Sequence, residues 1–106
     1  MPGGRPGRRG AANGSPGTGG ARIAVVDDHE LFRDGLIITV QERGGHRVVA
    51  ACSTLDELWV WLSGHPSAAH PDVVLLDLRL GSGLIDVLDV QRLVERGMRV
   101  LIVSGT

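Results

Sequence analysis

Four short apolar runs alternate along the chain with three stretches in which apolar residues recur at helical spacing. The runs are rich in Val, Ile and Leu, a composition that favours buried strands. The third run, "DVVLLDL", is almost continuously apolar, as expected for a strand covered on both faces of a sheet. The runs predict strands at residues 22–26, 46–52, 72–78 and 99–104.

The first two stretches between these strands have the periodicity and end signals of amphipathic helices. Phe32, Leu36 and Val40 fall four residues apart, and the glycine pair at positions 44–45 predicts the end of that helix. In the next stretch, Thr54 and Glu57 have the spacing of a capping box. The apolar face of this second helix is predicted to hold Leu55, Leu58, Trp59 and Leu62.

The third stretch, "LIDVLDVQRLVERG", predicts a helix that ends at Gly97. Its predicted apolar stripe consists of Leu84, Val87, Val90 and Val94. The complete order is therefore βαβαβαβ, which indicates an α/β fold with a doubly wound parallel sheet and helices on both faces. In such sheets, ligands bind at the carboxyl ends of the strands.

Composition separates the first 21 residues from the rest. The first 20 residues hold eight of the 16 Gly, three of the five Pro and three Arg, which predicts a disordered tail at positions 1–21. The remainder has eight Arg against 12 acidic residues, a balance that disfavours direct DNA binding. A single Cys excludes a disulfide within the chain, and no apolar stretch has the length of a membrane span. We therefore expect a cytoplasmic domain at residues 22–106.

Acidic residues follow two of the predicted strands. Asp27 and Asp28 come after the first strand, Asp77 ends the third, and Ser104 ends the fourth. If strands one and three are neighbours, the three carboxylates converge and repel one another unless a hard cation such as Mg²⁺ neutralises them. A carboxylate beside such a metal can attack phosphorus, and Asp77 has the more buried position for this role.

A simpler interpretation applies to each acid taken alone. Asp27 or Asp28 at a strand end can cap the helix that begins near Glu30. His29 follows the doublet and could be interpreted as a metal ligand, but it is expected in the first turn of that helix. The combination of the doublet with Asp77 favours a metal site over two separate caps.

The segments "IAVVDDHELFRDGL", "PDVVLLDLRL" and "RVLIVSGT" resemble the receiver domain of two-component response regulators, and the first is similar to the NarL/LuxR type. The resemblance implies that Asp77 is the phosphoacceptor and that Ser104 is the hydroxyl that responds to the phosphoryl group. It also implies a Mg²⁺ site formed by Asp27, Asp28, Asp77 and the main-chain carbonyl of Arg79.

The resemblance further implies a flavodoxin-like sheet with strand order 2-1-3-4-5. The phosphoryl group would come from a sensor histidine kinase, and the chain would be a signalling module, not a turnover enzyme. A homodimer is possible, no membrane contact is expected, and DNA would be bound only through a helix-turn-helix domain absent from this chain.

The likeness covers residues 22–106, in which four of the family's five strands are predicted. The family's fifth strand ends in a Lys, and this sequence contains no Lys. We therefore expect a partial receiver domain that lacks the fifth strand and the last helices. The loop after Asp77 keeps Gly81 and Gly83 but has no Pro, so its geometry is expected to differ from the family's.

Two other functions compete with this interpretation. The first is a Mg²⁺-dependent phosphohydrolase of a related α/β fold with an Asp nucleophile. Phosphatases of the haloacid-dehalogenase type place a second Asp two residues after the nucleophile, whereas Arg79 and Glu30 occupy those positions here. The second is an interaction fragment that is not phosphorylated, which the absence of Lys favours.

Overall fold

The computed structural model describes residues 20–77, 79–80, 83–84 and 86–103. Three parts of the sequence analysis lie outside these ranges: residues 1–19 of the predicted tail, Gly81 and Ser104. In chain order the elements are β1 (Arg22–Val26), α1 (Glu30–Ile38), β2 (Arg47–Cys52), α2 (Leu55–Ser63), β3 (Val73–Asp77), β4 (Arg79–Leu80), β5 (Gly83–Leu84), α3 (Val87–Glu95) and β6 (Arg99–Val103).

The four long strands form one parallel sheet in the order β2-β1-β3-β6. The chain therefore adopts the predicted doubly wound α/β fold, with β1 and β3 as neighbours. Val26 of β1 pairs with Leu76 of β3. Because the strands are parallel and in this register, the next residues, Asp27 and Asp77, lie at the same edge of the sheet.

Two faces of the sheet carry separate hydrophobic clusters because side chains alternate along each strand. On one face, Ile23, Val25 and Leu75 pack against α1, chiefly through its partly buried Leu36 and Ile37. The other face packs against α2 and α3 and contains the larger cluster. Its buried members are Ala24, Val26, Ala50, Cys52, Leu58, Leu62, Val74, Leu76, Leu93 and Met98.

The end of α1 and the start of α2 follow the signals in the sequence. The π-helical turn Thr39–Arg43 continues α1, and the chain then leaves it through Gly45, whose φ of 68° favours glycine. Thr54 caps α2 by accepting a hydrogen bond from the backbone N–H of Glu57 at 3.1 Å. The Glu57 carboxylate in turn accepts from the backbone N–H of Ser53. None of the helices in the described ranges is long and apolar enough to cross a membrane.

The predicted start of α3 at Leu84 is wrong. Leu84 lies in β5, where it pairs with Arg79 of β4 in a two-stranded antiparallel ladder. The helix begins at Val87 because Asp86 acts as its N-cap, with its Oδ1 accepting from the backbone N–H of Leu88 at 2.9 Å. The capping residue therefore decides the boundary, although the apolar pattern extends past it.

The predicted apolar stripe of α3 is also corrected. Leu93 is completely buried, whereas Val87 is 77% exposed and Val94 is 54% exposed. Val90 is partly buried, as predicted. On a helix, Val87 and Val94 lie to one side of Val90 and Leu93 lies to the other, and it is the Leu93 side that faces the sheet.

Candidate functional site

The carboxyl edge of the sheet brings together four side chains that can bind a metal ion. Asp27, Asp28, His29 and Asp77 each offer one ligand atom, and these atoms all lie within 4.8 Å of one another. Asp27 and Asp77 are buried, and Asp28 and His29 are exposed on the solvent side. The predicted convergence of the three carboxylates is therefore present. We refer to these four residues as the acidic cluster.

Asp27 occupies the most enclosed position in the acidic cluster, with no exposed surface. Its backbone N–H donates to the carbonyl of Cys52 at 3.0 Å, and its Oδ1 accepts from the backbone N–H of His29 at 2.7 Å. Its Oδ2 is buried without a hydrogen-bond partner among the described residues. A buried carboxylate oxygen in this state costs free energy, which a bound cation would recover.

The N-cap position of α1 is occupied by His29 and not by Asp27 or Asp28, and the side chain of His29 makes no capping hydrogen bond. Asp27 Oδ1 accepts from the backbone N–H of His29, one residue before the helix. The two carboxylates are thus positioned by the end of β1 and the following turn, and they remain at the acidic cluster.

His29 lies at the site, the alternative that the sequence analysis set aside in favour of the first turn of α1. It is the N-cap residue of α1, its carbonyl accepts from the backbone N–H of Arg33 at 2.9 Å, and its ring lies against all three carboxylates. Its Nδ1 is 3.2 Å from Oδ1 of Asp27, 3.1 Å from Oδ1 of Asp28 and 3.7 Å from Oδ2 of Asp77. Its place directly after the acidic doublet was the one sequence signal for this role.

Arg33 connects the turn after β1 to the turn after β2. Its Nη1 donates to the backbone carbonyl of Asp27 at 2.8 Å and to the hydroxyl of Ser53 at 3.0 Å. The guanidinium therefore holds the main chain of Asp27 in place. Sequence analysis missed this contact because an Arg on an amphipathic helix has no pattern that distinguishes it from a solvated one.

Cys52 ends β2 next to Asp27 and is not a member of the acidic cluster. Burial raises the pKa of the Cys52 thiol above its ordinary value of 9.0, the charge of Glu57 raises it further, and Arg33 partly offsets both. A thiol that remains protonated is a poor metal ligand and adds no negative charge to the edge of the sheet.

Two other predicted site residues remain to be placed. Arg79 lies in β4, two residues after Asp77, and its proposed role rests on its main-chain carbonyl alone. Ser104 is one residue past the end of β6 and outside the described residues. The roles of both stay predictions.

The donors of the acidic cluster suit a hard divalent cation. Carboxylate oxygens are the ligands that Mg²⁺ and similar ions prefer. Three of them converge here, two of the residues are buried, and one buried oxygen has no hydrogen-bond partner among the described residues. The residues present therefore fit a metal ion of this kind.

Comparison with known proteins gives matches among solved structures. No family model matches the sequence, and no curated protein matches it. The signal receiver domain of the response regulator NarL from Mycobacterium tuberculosis is 29% identical with a TM-score of 0.66, over 83% of this chain and 68% of that one. A LuxR-family response regulator from Aurantimonas is 28% identical with a TM-score of 0.64, over 81% of this chain and 59% of that one. The chain has the receiver-domain fold.

A third structure shows how far this receiver fold extends beyond sequence similarity. The receiver domain of PhyR from Erythrobacter litoralis is 18% identical with a TM-score of 0.67, over 84% of this chain and 66% of that one. At that identity the likeness is evidence of the fold alone. The chain spans between 32% and 68% of the length of the solved proteins that it matches. The resemblance to response regulator receivers predicted from the sequence is confirmed by these structures.

Proposed function

We propose that this chain is a phosphoacceptor receiver domain that takes a phosphoryl group on Asp77 from a sensor histidine kinase. The observation that carries the proposal is the convergence of the Asp27, Asp28 and Asp77 carboxylates at the carboxyl edge of a receiver fold. Ligands of doubly wound sheets bind at this edge, beside the point where strand order reverses. Here that point lies between β1 and β3, the strands that carry the three carboxylates.

The three aspartates have different parts in the proposed reaction. The proposed ligands of Mg²⁺ are Asp27, Asp28, Asp77 and the carbonyl of Arg79. When bound, the ion would neutralise the charge of the phosphoryl oxygens. Asp77 acts as the nucleophile: one carboxylate oxygen forms a bond to phosphorus while the bond from phosphorus to the donor's leaving group breaks. Asp77 is 4% exposed and is the last residue of β3, at the carboxyl edge of the sheet.

The later steps of signalling are part of the same proposal. The Ser104 hydroxyl would donate to a phosphoryl oxygen and so report the change at Asp77. Control of transcription would require a DNA-binding domain outside this chain. One of the similar structures, RcsB of Salmonella typhimurium, is described in terms of its DNA interaction, and it is 15% identical with a TM-score of 0.62. We propose a cytoplasmic location for this domain.

Incubation with a small phosphoryl donor tests the proposed function. The full chain is mixed with acetyl phosphate, with Mg²⁺ or with EDTA, and its intact mass is followed over time. We expect an adduct of one phosphoryl group that requires Mg²⁺ and that is absent from Asp77→Asn. The matched control is Asp72→Asn, the same substitution at the opposite edge of the sheet, which should leave the adduct unchanged.

The other outcomes decide between the alternatives. The absence of an adduct from a chain shown to be folded by circular dichroism would reject phosphoacceptance and favour the interaction fragment. Continuous release of phosphate, at many equivalents per chain, would favour the phosphohydrolase.

A further inference from the structure

His46, which directly precedes β2, connects that strand to the residues that precede β1. Its Nδ1 accepts a hydrogen bond from the backbone N–H of Ala21 at 3.0 Å. The carbonyl of Ala21 accepts from the backbone N–H of Arg47 at 3.0 Å. These two contacts continue the pairing of β1 with β2 by one residue beyond Arg22, and a side-chain nitrogen is one of the acceptors.

Two glycines allow the imidazole to lie in this position. A Cβ atom added at Gly20 would lie 2.5 Å from Nδ1 of His46 and 2.5 Å from the carbonyl oxygen of Gly45. A Cβ atom added at Gly44 would lie 2.8 Å from Cδ2 of the same ring. These distances are shorter than ordinary non-bonded contacts. The ring is therefore closely packed against backbone that only glycine can provide.

The direction of the hydrogen bond determines the protonation state of the ring. A backbone N–H can only donate, so Nδ1 of His46 must carry a lone pair, whereas both nitrogens of a protonated histidine are donors. We propose that His46 is a pH-sensitive latch that holds Gly20 and Ala21 against β2 when it is neutral and releases them when it is protonated. Histidine changes its charge between about pH 5 and pH 8, so the latch opens as the pH falls through this range.

The charged side chains around the latch do not stabilise a protonated ring by direct contact. The charged residues of the elements packed against His46 are Arg22 in β1, Glu42 and Arg43 in the π-helical turn, and Arg47 in β2. Among the described residues, none of these four forms an ion pair or a hydrogen bond with the imidazole. Three of the four are arginines, and like charges nearby disfavour a further cation.

Hydrogen exchange of the Ala21 amide tests the latch in the full chain. NMR measures the exchange rate at about pH 7.5 and about pH 5.5, each as a protection factor relative to an unstructured peptide at the same pH. In wild type, we expect the protection of Ala21 to fall by about fivefold or more on acidification. The amide of Val25, in the middle of β1, is the internal reference and should keep its protection.

Two variants separate the latch from a general effect of acid. His46→Asn places an amide oxygen near the position of Nδ1 and does not titrate, so Ala21 should stay protected at both pH values. Gly20→Ala introduces the Cβ atom that collides with the ring, so the protection of Ala21 should be low at both pH values. The matched control is Gly35→Ala, where a Cβ atom meets nothing within 4 Å and the pH dependence should stay that of wild type.

The remaining outcomes would overturn the latch. They are unchanged protection of Ala21 in wild type across the pH range, an equal fall in wild type and His46→Asn, and a wild-type pH dependence in Gly20→Ala. A joint loss of protection at Ala21 and Val25 would show that acid acts on the whole domain, which also contradicts the proposal. None of these results concerns Asp77, so the proposed phosphoacceptance is tested separately.

Discussion

Aspartates lie at both edges of the sheet, and their surroundings differ. At the amino edge, Asp72 precedes β3 and is matched by Arg22 at the start of β1. Asp72 Oδ2 accepts from the backbone N–H of Arg22 at 2.9 Å, and its Oδ1 is 3.5 Å from the guanidinium. At the carboxyl edge, three carboxylates and one imidazole share a space in which all ligand atoms lie within 4.8 Å.

The difference shows that the same residue type serves two purposes on the same pair of strands. The Arg22–Asp72 pair joins the amino ends of β1 and β3 and satisfies its own charges. The acidic cluster holds like charges together, which lowers stability unless a cation binds. Clustering of unfavourable charge at one edge is typical of a binding site, where function is favoured at the expense of stability.

The largest expected difference between the two edges is the effect of removing one carboxylate from each on the affinity for Mg²⁺. Asp28→Asn removes a ligand of the proposed metal site, and we expect the affinity for Mg²⁺ to fall by about tenfold or more. Asp72→Asn is the same change at the amino edge and should leave the affinity within about twofold. Isothermal titration calorimetry measures both. Equal effects of the two substitutions would show that Mg²⁺ binds by general charge attraction.

In the absence of a divalent cation, substitutions at the two edges should change the free energy of unfolding in opposite directions. Asp27→Asn keeps the acceptor for the backbone of His29 and replaces the unpartnered Oδ2 with an amide that can donate to a neighbouring carboxylate. We expect the free energy of unfolding in EDTA to rise by about 1 kcal/mol.

Asp72→Asn should instead lower the free energy of unfolding by about 0.5 kcal/mol or less, because Asp72 is half exposed and its ion pair is screened by solvent. Urea titrations of both variants measure this difference. A destabilised Asp27→Asn would contradict the view that the carboxyl edge is under electrostatic strain.

The hydrogen bonds of Arg33 provide a smaller test of how the carboxyl edge is held. Arg33→Gln removes the donor to the carbonyl of Asp27 and to Ser53, and we expect a loss of about 1–2 kcal/mol in the free energy of unfolding. Ser53→Ala removes only one of these two contacts and should cost about 0.5 kcal/mol. If Ser53→Ala costs as much as Arg33→Gln, the contact with the main chain of Asp27 contributes little.

Cys52 gives the smallest expected effect and a defined pH dependence. The folded protein raises the pKa of this thiol above its ordinary value of 9.0, so folding favours the protonated form. The resulting contribution to the free energy of unfolding is fully present below pH 9.0 and is lost as pH rises through the pKa of the folded state. The chain has no Lys, no Tyr and one Cys, so Cys52 is the side chain whose ordinary pKa lies in this alkaline range. The free energy of unfolding should fall in wild type as pH rises above 9.0, and the fall should be absent from Cys52→Ala. A fall that persists in Cys52→Ala would assign it to another group.

The fold could be predicted from the sequence because the hydrophobic patterns that indicate each strand and helix are local and recur along the chain. Four Val- and Ile-rich runs separated by helical periodicity determine the order of elements, and the right-handed crossover rule then restricts the sheet. The start of α3 was mispredicted because the apolar pattern continues through Leu84, whereas the capping side chain of Asp86 sets the boundary. Capping depends on side-chain geometry that hydrophobic periodicity does not contain.

The sequence predicted the three aspartates of the candidate site, placed His29 in the first helical turn in preference to the site, and gave no signal for Arg33. Asp27, Asp28 and Asp77 follow strands, so parallel pairing of β1 and β3 was enough to bring them together. His29 and Arg33 act through side-chain directions, one toward the carboxylates and one toward the carbonyl of Asp27. Those directions depend on the turn between β1 and α1, which the sequence pattern did not specify.

The position of the phosphoryl group tests the central claim most directly. The chain is treated with acetyl phosphate and Mg²⁺, the acyl phosphate is reduced with borohydride, and the modified residue is located by peptide mass spectrometry. We predict modification at Asp77, with none at Asp27, Asp28 or Asp72. Modification at another aspartate, or none in a folded chain that binds Mg²⁺, would contradict the assignment of Asp77 as the phosphoacceptor.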